Sequence, residues 1–230
     1  MKIIGLIGGM SWESSAEYYK LINEFTREKL SGLHSSKCLI YSLDFAEIEK
    51  LQDEREWVKL TGIMIDAARK LEAGGAECIL ICTNTMHKMA EEIQAAISIP
   101  LIHIADATGE AIKSEGLKTV GLLGTKYTME EDFYKGRLLE KFGLEVLIPD
   151  KQDREIVHNV IYNELCLGKI SRVSKEKFRK IIARLEKEGA RGIILGCTEI
   201  PLLIKQDDLK MPVFDTTRIH AKAGVEFALK

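Results

Sequence analysis

The chain repeats itself once. When Gly75-Ala76 is laid on Gly189-Ala190, an apolar run of strand type ends in a polar cluster in both copies, and Thr83 falls on Cys197 without a gap. The first copy reads Cys78-Ile79-Leu80-Ile81-Cys82 and then Thr83-Asn84-Thr85. The second reads Ile193-Ile194-Leu195-Gly196 and then Cys197-Thr198-Glu199, with Pro201 placed to open a helix. Two more anchors repeat. Ile4-Gly5-Leu6-Ile7-Gly8 lies over Val120-Gly121-Leu122-Leu123-Gly124, and Ile99-Pro100-Leu101-Ile102 over Met211-Pro212-Val213-Phe214, so the three offsets are 116, 114 and 112 residues. A period of that length means a duplicated half-domain, since stacked repeats run to ~20–50 residues.

Strands and helices alternate in both copies, which implies parallel sheets covered on both faces. The expected fold is α/β with two pseudo-symmetric half-domains. Each is a four-stranded parallel sheet flanked by helices, and the active site lies between them. Residues 1–115 form the first half, completed by a C-terminal helix over 216–230, and 116–215 form the second. In the first half the expected strands are 3–7, 38–43, 78–82 and 101–104, with Ser11 as the N-cap of the first helix. In the second they are 119–123, 145–148, 192–195 and 211–214, with one helix over 129–142.

Composition excludes several classes. Of 230 residues, 33 are basic and 35 acidic, a net charge of −2 that offers nothing to nucleic acid. No apolar run approaches the ~20 residues of a membrane span, and the N-terminus reads as a first strand, not a signal peptide. Five cysteines, an odd number lying mostly in apolar segments, fit a reducing cytoplasm without disulfides. Cys38, Cys78, Cys82 and Cys166 read as core residues, and no spacing suits zinc. Gly5-x-x-Gly8-Gly9 resembles a dinucleotide loop only superficially, because Ile7 and Met10 stand where that fingerprint needs glycine.

Ligands of parallel sheets bind beyond the carboxyl ends of the strands. Gly8-Gly9, Thr83-Asn84-Thr85, Gly124-Thr125 and Cys197-Thr198-Glu199 would therefore surround one cleft. A thiol between a strand end and a helix start is expected to have a lowered pKa, from unpaired N–H groups and the helix dipole. Thr125 and Thr198, beside helix starts, suit a carboxylate cradle. Gln52 and Arg55 are the candidates for a second, side-chain carboxylate. His87 and His220 read as structural groups near strand ends.

Thr83-Asn84-Thr85-Met86-His87, Gly196-Cys197-Thr198-Glu199 and Gly8-Gly9-Met10-Ser11-Trp12-Glu13-Ser14 together resemble the cofactor-independent aspartate/glutamate racemases. The likeness is closest to the bacterial L-aspartate/glutamate-specific subgroup. It implies an isomerase that swaps a proton at Cα of a small amino acid, with no cofactor and no metal. One base stands on each side of the substrate. Cys197 would abstract from the L-enantiomer and the Thr83 side would reprotonate. Met10, Gln52, Arg55, Asn84, Thr85, Thr125, Thr198 and Glu199 would bind substrate. Thr83 departs from the family's two-cysteine pattern, and a hydroxyl is a far poorer base than a thiol, so L substrates should be preferred. The resemblance carries no nucleic-acid or membrane partner and leaves a homodimer open. The alternatives are a single-cysteine decarboxylase of the same superfamily, and an amino-acid-binding module without turnover. A cysteine hydrolase ranks third, because no His or Asp is placed by motif beside Cys197.

Overall fold

β1 (Ile4–Gly8) is the middle strand of a parallel sheet ordered β2-β1-β3, with β2 at Cys38–Ser42 and β3 at Cys78–Ile81. Its side chains are buried on both faces, which is why it reads as an unbroken apolar run, whereas edge strand β2 is only half-buried. Helix α1 (Trp12–Leu30) starts where expected: Ser11 is its N-cap, with Oγ accepting the Ser14 N–H at 3.3 Å. Asp44 caps α2 (Phe45–Asp53) through Ala46 N–H, and α3 (Trp57–Ala73) buries Leu60, Met64, Ala67, Ala68 and Leu71 at helical spacing. β3 leads into a 3₁₀ turn, Thr85–Met89, and then α4 (Ala90–Ala95).

After α5 (Ile104–Ser114) the second sheet begins, all parallel and ordered β5-β4-β6-β7. Its strands are β4 (Thr119–Gly124), β5 (Glu145–Leu147), β6 (Ile193–Gly196) and β7 (Val213–Asp215). Helices α6 (Lys126–Glu130), α7 (Asp132–Phe142), α8 (Lys151–Asn163), α9 (Arg172–Glu188), the single turn α10 (Ile200–Leu203) and α11 (Thr216–Ala228) complete the chain.

The computed structural model describes residues 1–230, which divide into two compact units: Met1–Ile104 with His220–Lys230, and Ala105–Ile219. In the first, Ala221, Val225 and Ala228 of α11 pack with Ile4, Leu6, Tyr18 and Leu80.

Three expectations need correction. The helix expected over 129–142 begins earlier and breaks at Glu131, whose backbone is extended (ψ 155). The first half does not run to residue 115, because α5 from Ala105 onward belongs to the second unit. There Asp106 takes Arg137 Nε at 2.5 Å and Lys141 Nζ at 2.7 Å, and Gly109 lies flat against the Phe142 ring.

The first sheet has three strands, and Leu101 contributes only an isolated bridge to Ile79. Ile79 N–H donates to Pro100 O and Ile102 N–H to Ile79 O, so a ladder starts. The next groups that would extend it turn to imidazoles. Ile102 O accepts from His220 Nε2 at 2.6 Å, and Ile104 N–H donates to His87 Nε2 at 3.2 Å. In the second sheet the equivalent strand continues to the Leu195–Asp215 pair.

Candidate active site

In the first unit Met10 follows the carboxyl end of β1, Thr83, Asn84 and Thr85 follow that of β3, Gln52 bonds Met86 beyond β3, and Arg55 lies past the end of α2. Gly9 has φ 88, and a Cβ there would run into the Leu43 backbone, so only glycine fits this turn. Its N–H donates to Ser15 Oγ at 2.8 Å, and Met10 beside it is buried. Gln52 is buried, with Nε2 donating to Met86 Sδ at 3.2 Å. Arg55 is exposed and sits in the left-handed region at φ 57. Asn84 and Thr85 are buried, and Thr83 is half-buried. The Thr83 carbonyl lies 2.8 Å from His87 Nδ1. Because Ile104 N–H donates to Nε2 of the same ring, Nε2 carries no proton, so Nδ1–H is the donor to Thr83. Around this ring stand His103 and His220, with centroids at 4.7 and 5.5 Å. His220 in turn accepts the Tyr18 hydroxyl on Nδ1 at 2.8 Å.

In the second unit Gly124 and Gly196 are register partners at the ends of β4 and β6, where a Cβ on Gly124 would stand 2.8 Å from Gly196 O. Cys197 follows directly and is 8% exposed. Its Sγ donates to Glu199 Oε2 at 2.9 Å, and Thr198 Oγ1 donates to the same oxygen at 2.8 Å. Thr125 is the N-cap of α6, its Oγ1 accepting the Thr128 N–H at 3.3 Å.

This geometry overturns the expected low thiol pKa. Burial, then the Glu199 carboxylate and the neighbouring Cys166, push the Cys197 thiol well above its ordinary value. The helix that was to lower it is the four-residue α10, with Pro201 in its first turn, too short for an appreciable dipole. Glu199, expected as a substrate contact, bonds the thiol. The spacing in Cys197-Thr198-Glu199 carried that signal, since a carboxylate two residues on can fold back at a strand end. Of the other cysteines, Cys78 and Cys82 sit in the core and burial raises both thiols, Cys78 to about 12. Cys38 and Cys166 are only half-buried, against the expectation of core positions.

A thiol 2.9 Å from a carboxylate is within the reach required for general acid–base transfer. The description of the Asp/Glu/hydantoin racemase family matches residues 7–224. The chain belongs to that family. As a racemase it is an isomerase, and the chemistry to be explained is proton exchange at a stereocentre. A Yersinia pestis protein whose crystal structure carries the Asp/Glu racemase name is 54% identical, with each chain fully covered and a TM-score of 0.94. An aspartate racemase homologue from Pyrococcus horikoshii is 40% identical, again with full coverage of both chains and a TM-score of 0.87. The broad-specificity amino-acid racemase RacX of Bacillus subtilis is 25% identical over 97% of this chain and 96% of its own length. No helix of the protein is long and apolar enough to cross a membrane.

Proposed function

We propose that the protein racemises aspartate, glutamate or both by two-base proton transfer at Cα, without a pyridoxal cofactor and with L substrates preferred. The carrying observation is the Cys197–Glu199 hydrogen bond at the end of β6, the position equivalent in the repeat to Thr83 after β3. The S–H proton passes to Glu199, and the thiolate then takes the α-proton of the L-enantiomer. The electron pair left on Cα spreads into the substrate carboxylate, which hydrogen-bond donors stabilise. The Thr83 hydroxyl returns a proton to the other face and regains one from solvent, while Glu199 releases to solvent the proton it took from sulfur, which restores the starting state.

A buried thiol with a raised pKa needs such an acceptor, and the substrate ammonium offsets the charge created. Thr83 can protonate a carbanion but is a poor base, so a reaction started from the D side is slow at saturation. The two enantiomers have equal energy in water, so kcat/KM must be the same in both directions, and the preference appears as a higher kcat from L matched by a proportionately higher KM. Met10, Gln52, Asn84, Thr85, Thr125 and Thr198 are the proposed substrate contacts, with Arg55 on the side-chain carboxylate. A cytoplasmic site of action accompanies this reading, since a reducing compartment preserves five free thiols.

The test is incubation with L- and D-forms of each amino acid in deuterated buffer, followed by α-proton NMR. The α-proton signal should fade while the opposite enantiomer appears, and Cys197→Ala should abolish both. Because the Bacillus relative carries a broad-specificity name, neutral amino acids belong in the panel. Saturable binding without deuterium uptake would instead indicate a binding module. Carbon dioxide released from a malonate would indicate the decarboxylase.

A further inference from the structure

His87 is the last residue of the Thr83-Asn84-Thr85-Met86-His87 motif, and the proposed chemistry leaves it unused. It is 2% exposed, and its two ring nitrogens face different segments. Nδ1–H donates to the Thr83 carbonyl at 2.8 Å, and Nε2 accepts the Ile104 N–H at 3.2 Å. Only a neutral imidazole with its proton on Nδ1 makes both bonds, because a proton on Nε2 would set two donors face to face. The ring thus ties the turn after β3 to the first residue of α5, across the place where the fourth strand of this sheet is missing. His220 holds the same segment two residues earlier, at Ile102 O, and is itself held by the Tyr18 hydroxyl.

The second half of the repeat ties its strand end differently. Thr216, the counterpart of Ile104, donates its hydroxyl to Leu195 O at 2.9 Å. The counterpart of His87 is Pro201, which has no side-chain donor. The imidazole tie therefore belongs only to the half that carries threonine. A thiol acts through a large, polarisable sulfur and tolerates some displacement. A hydroxyl transfers its proton over a short distance and loses rate steeply with misplacement.

We infer that His87 is a positioning residue for Thr83, fixing the strand end so that the hydroxyl, a weak group for this task, is held at the distance proton return requires. The inference rests on the two-base reading above. Its test uses two amide side chains that divide the histidine's bonds. His87→Asn places an N–H donor where Nδ1 stood and keeps the Thr83 bond. His87→Gln places an acceptor near Nε2 and keeps only the Ile104 bond.

With the L substrate that the wild type racemises, His87→Gln should lower kcat about tenfold, the scale of one misplaced hydrogen bond. KM and the rate of Cys197 alkylation should stay within about twofold, as both are set away from the displaced group. His87→Asn should retain kcat within about threefold. In the Thr83→Ala background, His87→Gln should bring no further loss, because a residue acting through Thr83 has nothing left to position. Multiplying losses in the double variant, or His87→Asn as slow as His87→Gln, would overturn the inference. If His87→Gln does not accumulate folded, the Asn variant decides alone: a tenfold fall in its kcat refutes the assigned bond. A wild type that racemises nothing refutes the proposed function instead, and the two failures are told apart by that control.

Discussion

At the scale of one residue, the Cys197 thiol carries two opposed demands. It is buried with a carboxylate 2.9 Å away, which favours the protonated thiol, and in the proposed reaction it would have to become a thiolate when substrate binds. Glu199 serves both. It penalises the thiolate by charge, and in the proposed reaction it would be the acceptor that takes the proton. Glu199→Gln separates these effects. Alkylation of Cys197 by iodoacetamide at neutral pH should speed up, since a neighbouring negative charge is gone and the thiol pKa falls. Racemisation should slow at least tenfold, below the full range for a lost general base. Both rates falling together would show that Glu199 holds the thiol by geometry only. Arg55 carries a second residue-scale test. Its backbone lies at φ 57, a conformation costing an L-residue on the order of 1 kcal/mol, and such strain often marks a working site. Arg55→Gly removes strain and guanidinium together. Urea unfolding should show stability unchanged or raised, while KM for aspartate and glutamate rises. An unchanged KM would remove Arg55 from the substrate contacts.

At the scale of elements, β-strand and helix positions were largely legible in the residues, since apolar runs, Gly9 and the caps Ser11 and Asp44 are local signals. What was not legible is how side chains compete with a ladder. Leu101 to Ile104 has strand composition, yet its backbone groups are taken by His87 and His220. Those imidazoles stand 17 and 118 positions along the chain from Ile104 and Ile102, and only folding brings them close. His220 makes the element scale testable. It is fully buried, and burial pushes its pKa from the ordinary 6.5 to about 4, against a smaller opposing effect of the Ile102 carbonyl. A folded-state pKa below the unfolded one means the unfolded chain binds the proton more readily. The contribution is therefore fully present above about pH 6.5 and is lost as pH falls towards about 4. The loss is on the order of 3 kcal/mol. Thermal unfolding between pH 7 and 4 should show Tm falling for the wild type and a shallower fall for His220→Asn. Identical slopes would remove His220 from the acid sensitivity.

At the scale of the whole molecule, the duplication places Thr83 and Cys197 at equivalent strand ends, and the proposed function makes both of them proton-handling groups. The family match over residues 7–224 makes the chain a racemase. The central claim is that its two strand ends, bearing different chemistry, act on one α-carbon. The direct measurement follows both directions by circular dichroism for wild type, Thr83→Cys and Thr83→Ala, at saturating L and D substrate. The account predicts a wild type with a higher kcat from L than from D, and a Thr83→Cys protein whose D-side kcat rises because a second thiol supplies the missing base. Thr83→Ala should reduce racemisation, to a residual rate, more than it reduces binding of the L substrate. Equal D-side rates in wild type and Thr83→Cys, with Thr83→Ala fully active, would contradict it and leave residue 83 as a turn residue.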